Sequence, residues 1–150
     1  MAWFTGGIFG ARQAANFDAA GTTTFTAVTN MTVNLEAGKT YHFYVWLPCT
    51  LDAAGGAKMR LSGTVTLTDF RVVYKMFDNA AAAFVSVNQN NALTAGGVTA
   101  VTGGTSAEIL AEGTITVNAA GTLLVQFAQQ VAAGTSSALR GGVMIVTQMA

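Results

Sequence analysis

Few residues of this 150-residue chain could take part in catalysis, and their spacing does not support it. A nucleophilic hydrolase needs Ser, Thr or Cys beside a base and an orienting acid. The single histidine, His42, lies between Tyr41 and Phe43 in an alternating segment, and no Gly-x-Ser-x-Gly motif occurs. We therefore expect His42 to be a sheet or interface residue with a hydrogen-bond partner.

The carboxylates and the single cysteine also fit structural roles. Glycoside hydrolysis needs two carboxyl groups facing each other across a cleft, whereas the seven Asp and Glu residues are dispersed along the chain. Asp69 and Arg71 lie two residues apart, so they share one face of a strand, which predicts a local ion pair or an interface contact. Cys49 follows Pro48 at a predicted strand end, where a small buried or half-buried hydrophobe is the expected role and a reactive thiol is the weaker alternative.

Metal and cofactor sites are equally unsupported by the sequence. One His and one Cys cannot form a Cys/His zinc cluster, and they allow no intramolecular disulfide. The polar loops hold too few acids for calcium, and the glycine-rich pieces lack the context of a phosphate-binding loop. We expect no catalytic site, no metal and no cofactor, and hence that the protein is not an enzyme.

The composition excludes several classes of partner. Charged residues make up 9% of the chain and hydrophobic residues 51%, and the formal net charge is +0; a typical soluble domain has about 25% charged residues. Nucleic acid and anionic membranes need clustered Lys and Arg, which are scattered here. No apolar run approaches the roughly 18–20 residues of a membrane span. A surface with so few charges predicts that the protein contacts other protein subunits.

Period-two alternation bounded by Gly, Asn and Asp recurs along the sequence and predicts an all-β, antiparallel β-sandwich. In the segment 39–48, alternate large residues point to opposite faces, which indicates burial on both. The turn residues of 118–121 predict a hairpin. The predicted strands cover residues 22–29, 31–36, 39–48, 57–62, 64–77, 83–88, 107–118, 121–129 and 139–148.

Residues 1–21 show no sustained alternation, and we expect an N-terminal arm there, followed by the sandwich over 22–150. The arm contains large apolar residues spaced by Gly and Ala, which must be buried somewhere. Two alternatives remain open: the arm folds back over its own sandwich, or it lies on a partner subunit. Its large apolar residues are Trp3, Phe4, Ile8, Phe9 and Phe17.

Two parts of the sequence carry a pattern of strands and turns that recurs in bacteriophage virion proteins. One is Leu-Glu-Ala-Gly-Lys-Thr-Tyr-His-Phe at 35–43, with Gly-Gly-Ala-Lys-Met-Arg-Leu-Ser-Gly-Thr-Val at 55–65. The other is Ala-Glu-Gly-Thr-Ile-Thr-Val-Asn-Ala-Ala-Gly-Thr-Leu-Leu-Val-Gln-Phe-Ala-Gln at 111–129, with Leu-Arg-Gly-Gly-Val-Met-Ile-Val-Thr at 139–147. The chain thus resembles the jelly-roll domains of phage head decoration proteins and fibre tips, which group with the trimeric tumour-necrosis-factor-like sandwiches.

The resemblance implies a homotrimer packed through apolar and Thr-rich sheet faces. We expect a decoration (cement) protein, made in the host cytoplasm, that binds the major capsid protein on the outer surface of the phage head. The N-terminal segment leaves room for a short arm but no shaft, which favours this role over a fibre tip. The expected capsid contacts are Trp3, Phe4, Ile8 and Phe9, and the expected trimer-interface residues are Tyr44, Trp46, Val143, Met144 and Val146.

The alternative is a tail or head fibre tip that binds a receptor or glycan. Recognition would then lie in the long loop over 88–104, with Tyr44 and Trp46 as the available aromatic residues. Aromatic residues within strands are usually core or interface, so a glycan partner is the less favoured of the two.

Overall fold

The computed structural model describes residues 7–79, 82–93, 98–99 and 106–149, and all regular structure in these residues is β-strand. No helix in this part of the chain could cross a bilayer. The strands are Ile8–Arg12 (β1), Phe17–Ala20 (β2), Thr26–Leu35 (β3), Thr40–Thr50 (β4), Lys58–Gly63 (β5), Thr66–Asp78 (β6), Ala83–Asn90 (β7), Val98–Thr99 (β8), Ala107–Ala119 (β9), Gly121–Ala128 (β10), Thr135–Ala138 (β11) and Val143–Gln148 (β12).

Two antiparallel sheets pack face to face as a β-sandwich of jelly-roll type. The large sheet has the order β1-β12-β4-β9-β6-β7, with β11 beside β4 and β2 beside β11. The small sheet has the order β3-β10-β5-β8. Successive strands from β3 to β6 alternate between the sheets, so each sheet is built from segments distant in sequence. The predicted fold class is confirmed.

The alternation in β4 determines which side chains enter the core. Tyr41, Phe43, Val45 and Leu47 point between the sheets and are at most 1% exposed. They share one core cluster with residues of the small sheet such as Phe127. Full burial of a large apolar side chain contributes about 1.5–3 kcal/mol, so packing alone can hold this fold without a disulfide.

The hydroxyl groups of two core tyrosines accept hydrogen bonds from backbone N–H groups of the small sheet. One of these N–H groups lies within a strand, and the other lies directly after a strand. The hydroxyl oxygen of Tyr74 accepts a hydrogen bond from Leu61 N at 3.0 Å, and that of Tyr41 accepts one from Glu36 N at 3.0 Å. Burial raises the pKa of Tyr74 to about 12, although the Leu61 hydrogen bond and the charge of Arg60 oppose the shift. A buried N–H left without a partner would cost about 1–3 kcal/mol.

Residues 7–21 differ from the expectation that no strand precedes residue 22. Ile8–Arg12 pairs with β12, and Phe17–Ala20 pairs with β11, so both segments belong to the large sheet. Phe17 packs edge-on against Phe127, with ring centroids 6.4 Å apart. The alternation was hard to recognise because Gly and Ala occupy many of the positions that would otherwise carry large side chains.

Two turns also differ from the sequence-based prediction. One strand, β3 (Thr26–Leu35), stands in place of the two predicted strands 22–29 and 31–36, and Asn30 interrupts it with a left-handed φ of 64° and a shifted register. The turn at 118–121 is not a hairpin, because β9 lies in the large sheet and β10 in the small one. Turn residues fix how sharply the chain reverses, but they do not fix which sheet receives the next strand.

Candidate functional site

The outer face of the large sheet carries aromatic and aliphatic side chains that the core does not use. Tyr44 and Trp46 lie on this face of β4, directly opposite Ile145 and Val143 of β12. Ile145 is 43% exposed, and the other three are half-buried. We call Tyr44, Trp46, Val143 and Ile145 the apolar strip. Such a cluster on an outer face is typical of an interaction surface.

Carboxylates of the neighbouring strand β9 hold the rings of β4 in place. Trp46 Nε1 donates a hydrogen bond to Glu108 Oε2 at 3.1 Å. His42 Nε2 lies 3.4 Å from Glu112 Oε1. The pKa of Tyr44 is raised, first by partial burial and then by the negative charges of Glu112 and Glu108. His42 lies within β4, so the expectation that it is a sheet residue is confirmed.

The structure corrects the expected trimer interface at two positions. Met144 and Val146 are fully buried between the sheets, where they belong to the core cluster. Strand β12 alternates, so only Val143 and Ile145 of this stretch face outward. The prediction that Met144 and Val146 line a subunit interface is therefore wrong, and Ile145 is the residue it missed. Tyr44, Trp46 and Val143 remain predicted interface residues.

Of the four expected capsid contacts, the structure describes Ile8 and Phe9. Trp3 and Phe4 lie outside the described residues. Ile8 is 73% exposed. Phe9 is partly buried and packs edge-on against Tyr41 at a centroid distance of 5.8 Å, so it contributes to its own sandwich, and its role as a capsid contact remains a prediction. For Phe9 and Phe17 the chain folds back onto its own sandwich.

The outer face of the small sheet has a different chemistry. Its outward residues are largely Thr, Asn, Gln, Ser, Lys and Arg, and Arg60 Nε donates a hydrogen bond to Gln126 Oε1 at 2.7 Å. Lys58 and Arg60 cover the ring of Phe25, with Lys58 Nζ 4.8 Å and Arg60 Cζ 4.2 Å from its centroid. This face is largely polar, whereas the outer face of the large sheet carries the apolar strip next to charged side chains such as Glu112 and Arg71.

A groove of about 680 Å³ crosses the outer face of the large sheet beside the apolar strip. His42, Thr114 and Arg71 are cross-strand partners on β4, β9 and β6. Thr114 is short, so a depression forms between its two longer neighbours. Glu112 and Asn91 also line the groove. No sequence signal could place these residues together, because the strand register is not visible in the sequence.

The remaining candidate residues, Asp69, Arg71 and Cys49, make contacts that fit structural roles. Asp69 Oδ1 lies 3.4 Å from Arg71 Nε, which confirms the predicted ion pair. Cys49 is buried, and this burial, together with the charge of Glu108, raises its pKa to about 12. In the part of the chain that the structure describes, no three His, Cys, Asp or Glu residues are grouped to hold a metal. Most of the loop over 88–104 lies outside that part.

Comparisons with known proteins concern the fold. No known protein family and no curated protein matches the sequence. Eiger TNF from S. frugiperda is 10% identical, with 95% of this chain and 93% of that chain covered and a TM-score of 0.44. Dimeric latent PorU from Porphyromonas gingivalis is 10% identical, with 99% and 13% covered and a TM-score of 0.43. The Gt strain of infectious bursal disease virus is 12% identical, with 99% and 42% covered and a TM-score of 0.27. Solved structures similar to this chain thus include a TNF protein and a virus structure.

Proposed function

We propose that this protein is a structural virion component, a homotrimeric decoration protein that binds the outer surface of a phage head and carries no enzymatic activity. The observation that supports this best is a difference between the two outer faces: the large sheet presents the apolar strip next to charged groups, whereas the small sheet is largely polar. In a chain with 9% charged residues, such a contrast fits one face against other subunits and the other face in water.

The apolar strip supports assembly of identical copies. At the opposite edge of the same face, Phe77 and Phe84 form an edge-on pair with centroids 5.3 Å apart, and Phe84 is 58% exposed. A cyclic trimer uses heterologous contacts, in which one patch meets a different patch of the next copy. Two separate apolar patches on one face meet this requirement, and burying them removes apolar surface from water.

Binding of this protein to the head would stabilise the shell by mass action, because a protein that binds only the assembled shell shifts the equilibrium towards the assembled state. Ile8 supports a capsid contact, since it is a large aliphatic residue left 73% exposed on an edge strand. Trp3 and Phe4 are proposed to act with it. With a formal net charge of +0, the association should rest on apolar contact and depend weakly on salt.

The test is cosedimentation of the purified protein with bare heads of the phage that encodes it, at low and high sodium chloride. We expect the protein to pellet with the heads at both salt concentrations, and to raise the temperature at which the heads disrupt. Ile8→Ser should weaken pelleting, whereas Thr32→Ser on the small sheet should not. If the protein stays in the supernatant while the heads pellet, the proposal is overturned.

A further inference from the structure

The groove over Thr114 has the size and the polar groups of a small-molecule site. Its volume of about 680 Å³ lies within the roughly 300–1,000 Å³ of ligand pockets. His42 and Arg71 form its two walls, and Thr114 forms the floor between them. We propose that this groove binds a neutral, polyhydroxylated ligand, namely a sugar. The proposal goes beyond head binding and does not depend on it.

The charges around the groove favour a neutral ligand. Arg71 is paired with Asp69, and His42 is paired with Glu112, each at 3.4 Å. Arg71 is the one arginine or lysine among the residues lining the groove, and the carboxylates of Asp69 and Glu112 lie beside it, so an anionic ligand would be disfavoured. A metal ion is also disfavoured, because no group of three His, Cys, Asp or Glu residues that could hold one occurs in the described residues.

The hydrogen-bonding groups match the hydroxyls of a sugar, each of which both donates and accepts. Arg71 offers five N–H donors in one plane, and Asp69 is its only ion-pair partner in the described part of the chain. The Thr114 hydroxyl has no hydrogen-bond partner there and can donate as well as accept. Glu112 adds carboxylate acceptors at the groove wall.

An aromatic ring lies next to these groups. Tyr44 is the cross-strand partner of Glu112 on the same face of the sheet, and it is half-buried. The apolar face of a sugar ring can pack against such a ring while its hydroxyls face the polar side chains. Because Tyr44 also belongs to the apolar strip, the trimer contact must leave this ring uncovered for it to take part in sugar binding. This arrangement places sugar recognition on the strands β4, β9 and β6. Asn91, from the segment 88–104, also lines the groove.

The test is saturation-transfer difference NMR on the full chain, which works for a monomer and for an oligomer. The probes are the methyl glycosides of glucose, galactose, mannose and N-acetylglucosamine at millimolar concentration, with N-acetylneuraminic acid as the anionic comparison. We expect transfer to at least one neutral glycoside and weaker transfer to the acid. Thr114→Val and Arg71→Met should each abolish that transfer.

Arg140→Met is the matched control, because it also removes an exposed arginine but lies near Pro48 at the other end of β4, where Leu139 N donates to Pro48 O at 2.8 Å. Transfer should survive in this variant. The proposal is overturned if no neutral glycoside gives transfer, if Thr114→Val and Arg71→Met keep it, or if N-acetylneuraminic acid gives the strongest signal. Head cosedimentation is measured separately, so either proposal can fail alone.

Discussion

On the outer face of the large sheet, Trp46 Nε1 donates a hydrogen bond to Glu108 Oε2 across the β4–β9 pair at 3.1 Å. The carboxylate fixes the indole, which also lies opposite Val143 of β12. A side chain that is already ordered loses less rotamer freedom when a partner covers it. This part of the apolar strip is therefore already ordered in the single subunit, which favours the proposed subunit contact.

A charge within the apolar strip should prevent assembly without unfolding the subunit. Ile145 is outward-facing and 43% exposed, so Ile145→Asp removes no core contact but places a carboxylate where a partner would bury it. We expect the mass measured by light scattering to fall from three copies to one. Thr32→Asp, at an outward position of the small sheet, should leave the mass of three copies unchanged. A wild-type monomer, or an Ile145→Asp trimer, would contradict the proposed interface.

The sequence predicted β4 closely because its alternation is complete. From Tyr41 to Leu47, each inward position of β4 carries an apolar or aromatic side chain, and each outward position carries a ring. Met144 and Val146 were misassigned because the stretch Val143 to Val146 is apolar on both faces, so composition alone does not tell inside from outside. The register with β4 separates the two sets.

The groove could not be predicted for a different reason. His42, Arg71 and Thr114 lie far apart in the chain, and they meet only because β9 pairs with both β4 and β6. Periodicity gives the face on which each residue lies, but it does not give the neighbour across the strand pair. The Asp69–Arg71 pair was accessible from the sequence because its two residues lie on one strand.

The Cys49 thiol should be unreactive in the folded protein. It is 1% exposed, and its pKa is raised from 9.0 to about 12, so both access and thiolate formation are suppressed. We expect Ellman's reagent at pH 8 to label it only after addition of denaturant. Rapid stoichiometric labelling of the native protein would show that the end of β4 opens readily, contrary to the packing described here.

The Tyr74 hydroxyl should stabilise the fold in a pH-dependent way. Tyr74→Phe leaves Leu61 N without its partner and should lower the free energy of unfolding by about 1–3 kcal/mol in urea titrations at neutral pH. Tyr44→Phe, which changes an outward tyrosine, is the control and should have a smaller effect. Equal effects of the two substitutions would mean that the cross-sheet hydrogen bond contributes little.

The same variant tests the direction of the pH effect. The pKa of Tyr74 is raised from 10.0 to about 12, so the folded state holds this proton more tightly than the unfolded chain does. Its contribution is complete below pH 10 and is lost as the pH rises towards 12. Cys49 produces a loss in the same direction, so the measurement is the difference between wild type and Tyr74→Phe. The wild type should lose stability more steeply in this range, and parallel curves would contradict the assignment.

Gly113 should be intolerant of any side chain, because β9 and β6 approach closely at this position. An added Cβ would lie 1.8 Å from the backbone oxygen of Arg71, and backbone on a central strand cannot move aside as a flexible side chain can. Gly113→Ala should therefore cost at least the roughly 1–3 kcal/mol of an overpacked core, measured as a lower urea midpoint. Gly7→Ala is the control, since a Cβ there would meet nothing within 4 Å, and it should change stability by less than about 0.5 kcal/mol. A Gly113→Ala midpoint equal to that of the control would mean that the β6–β9 register at the groove floor differs from the one described.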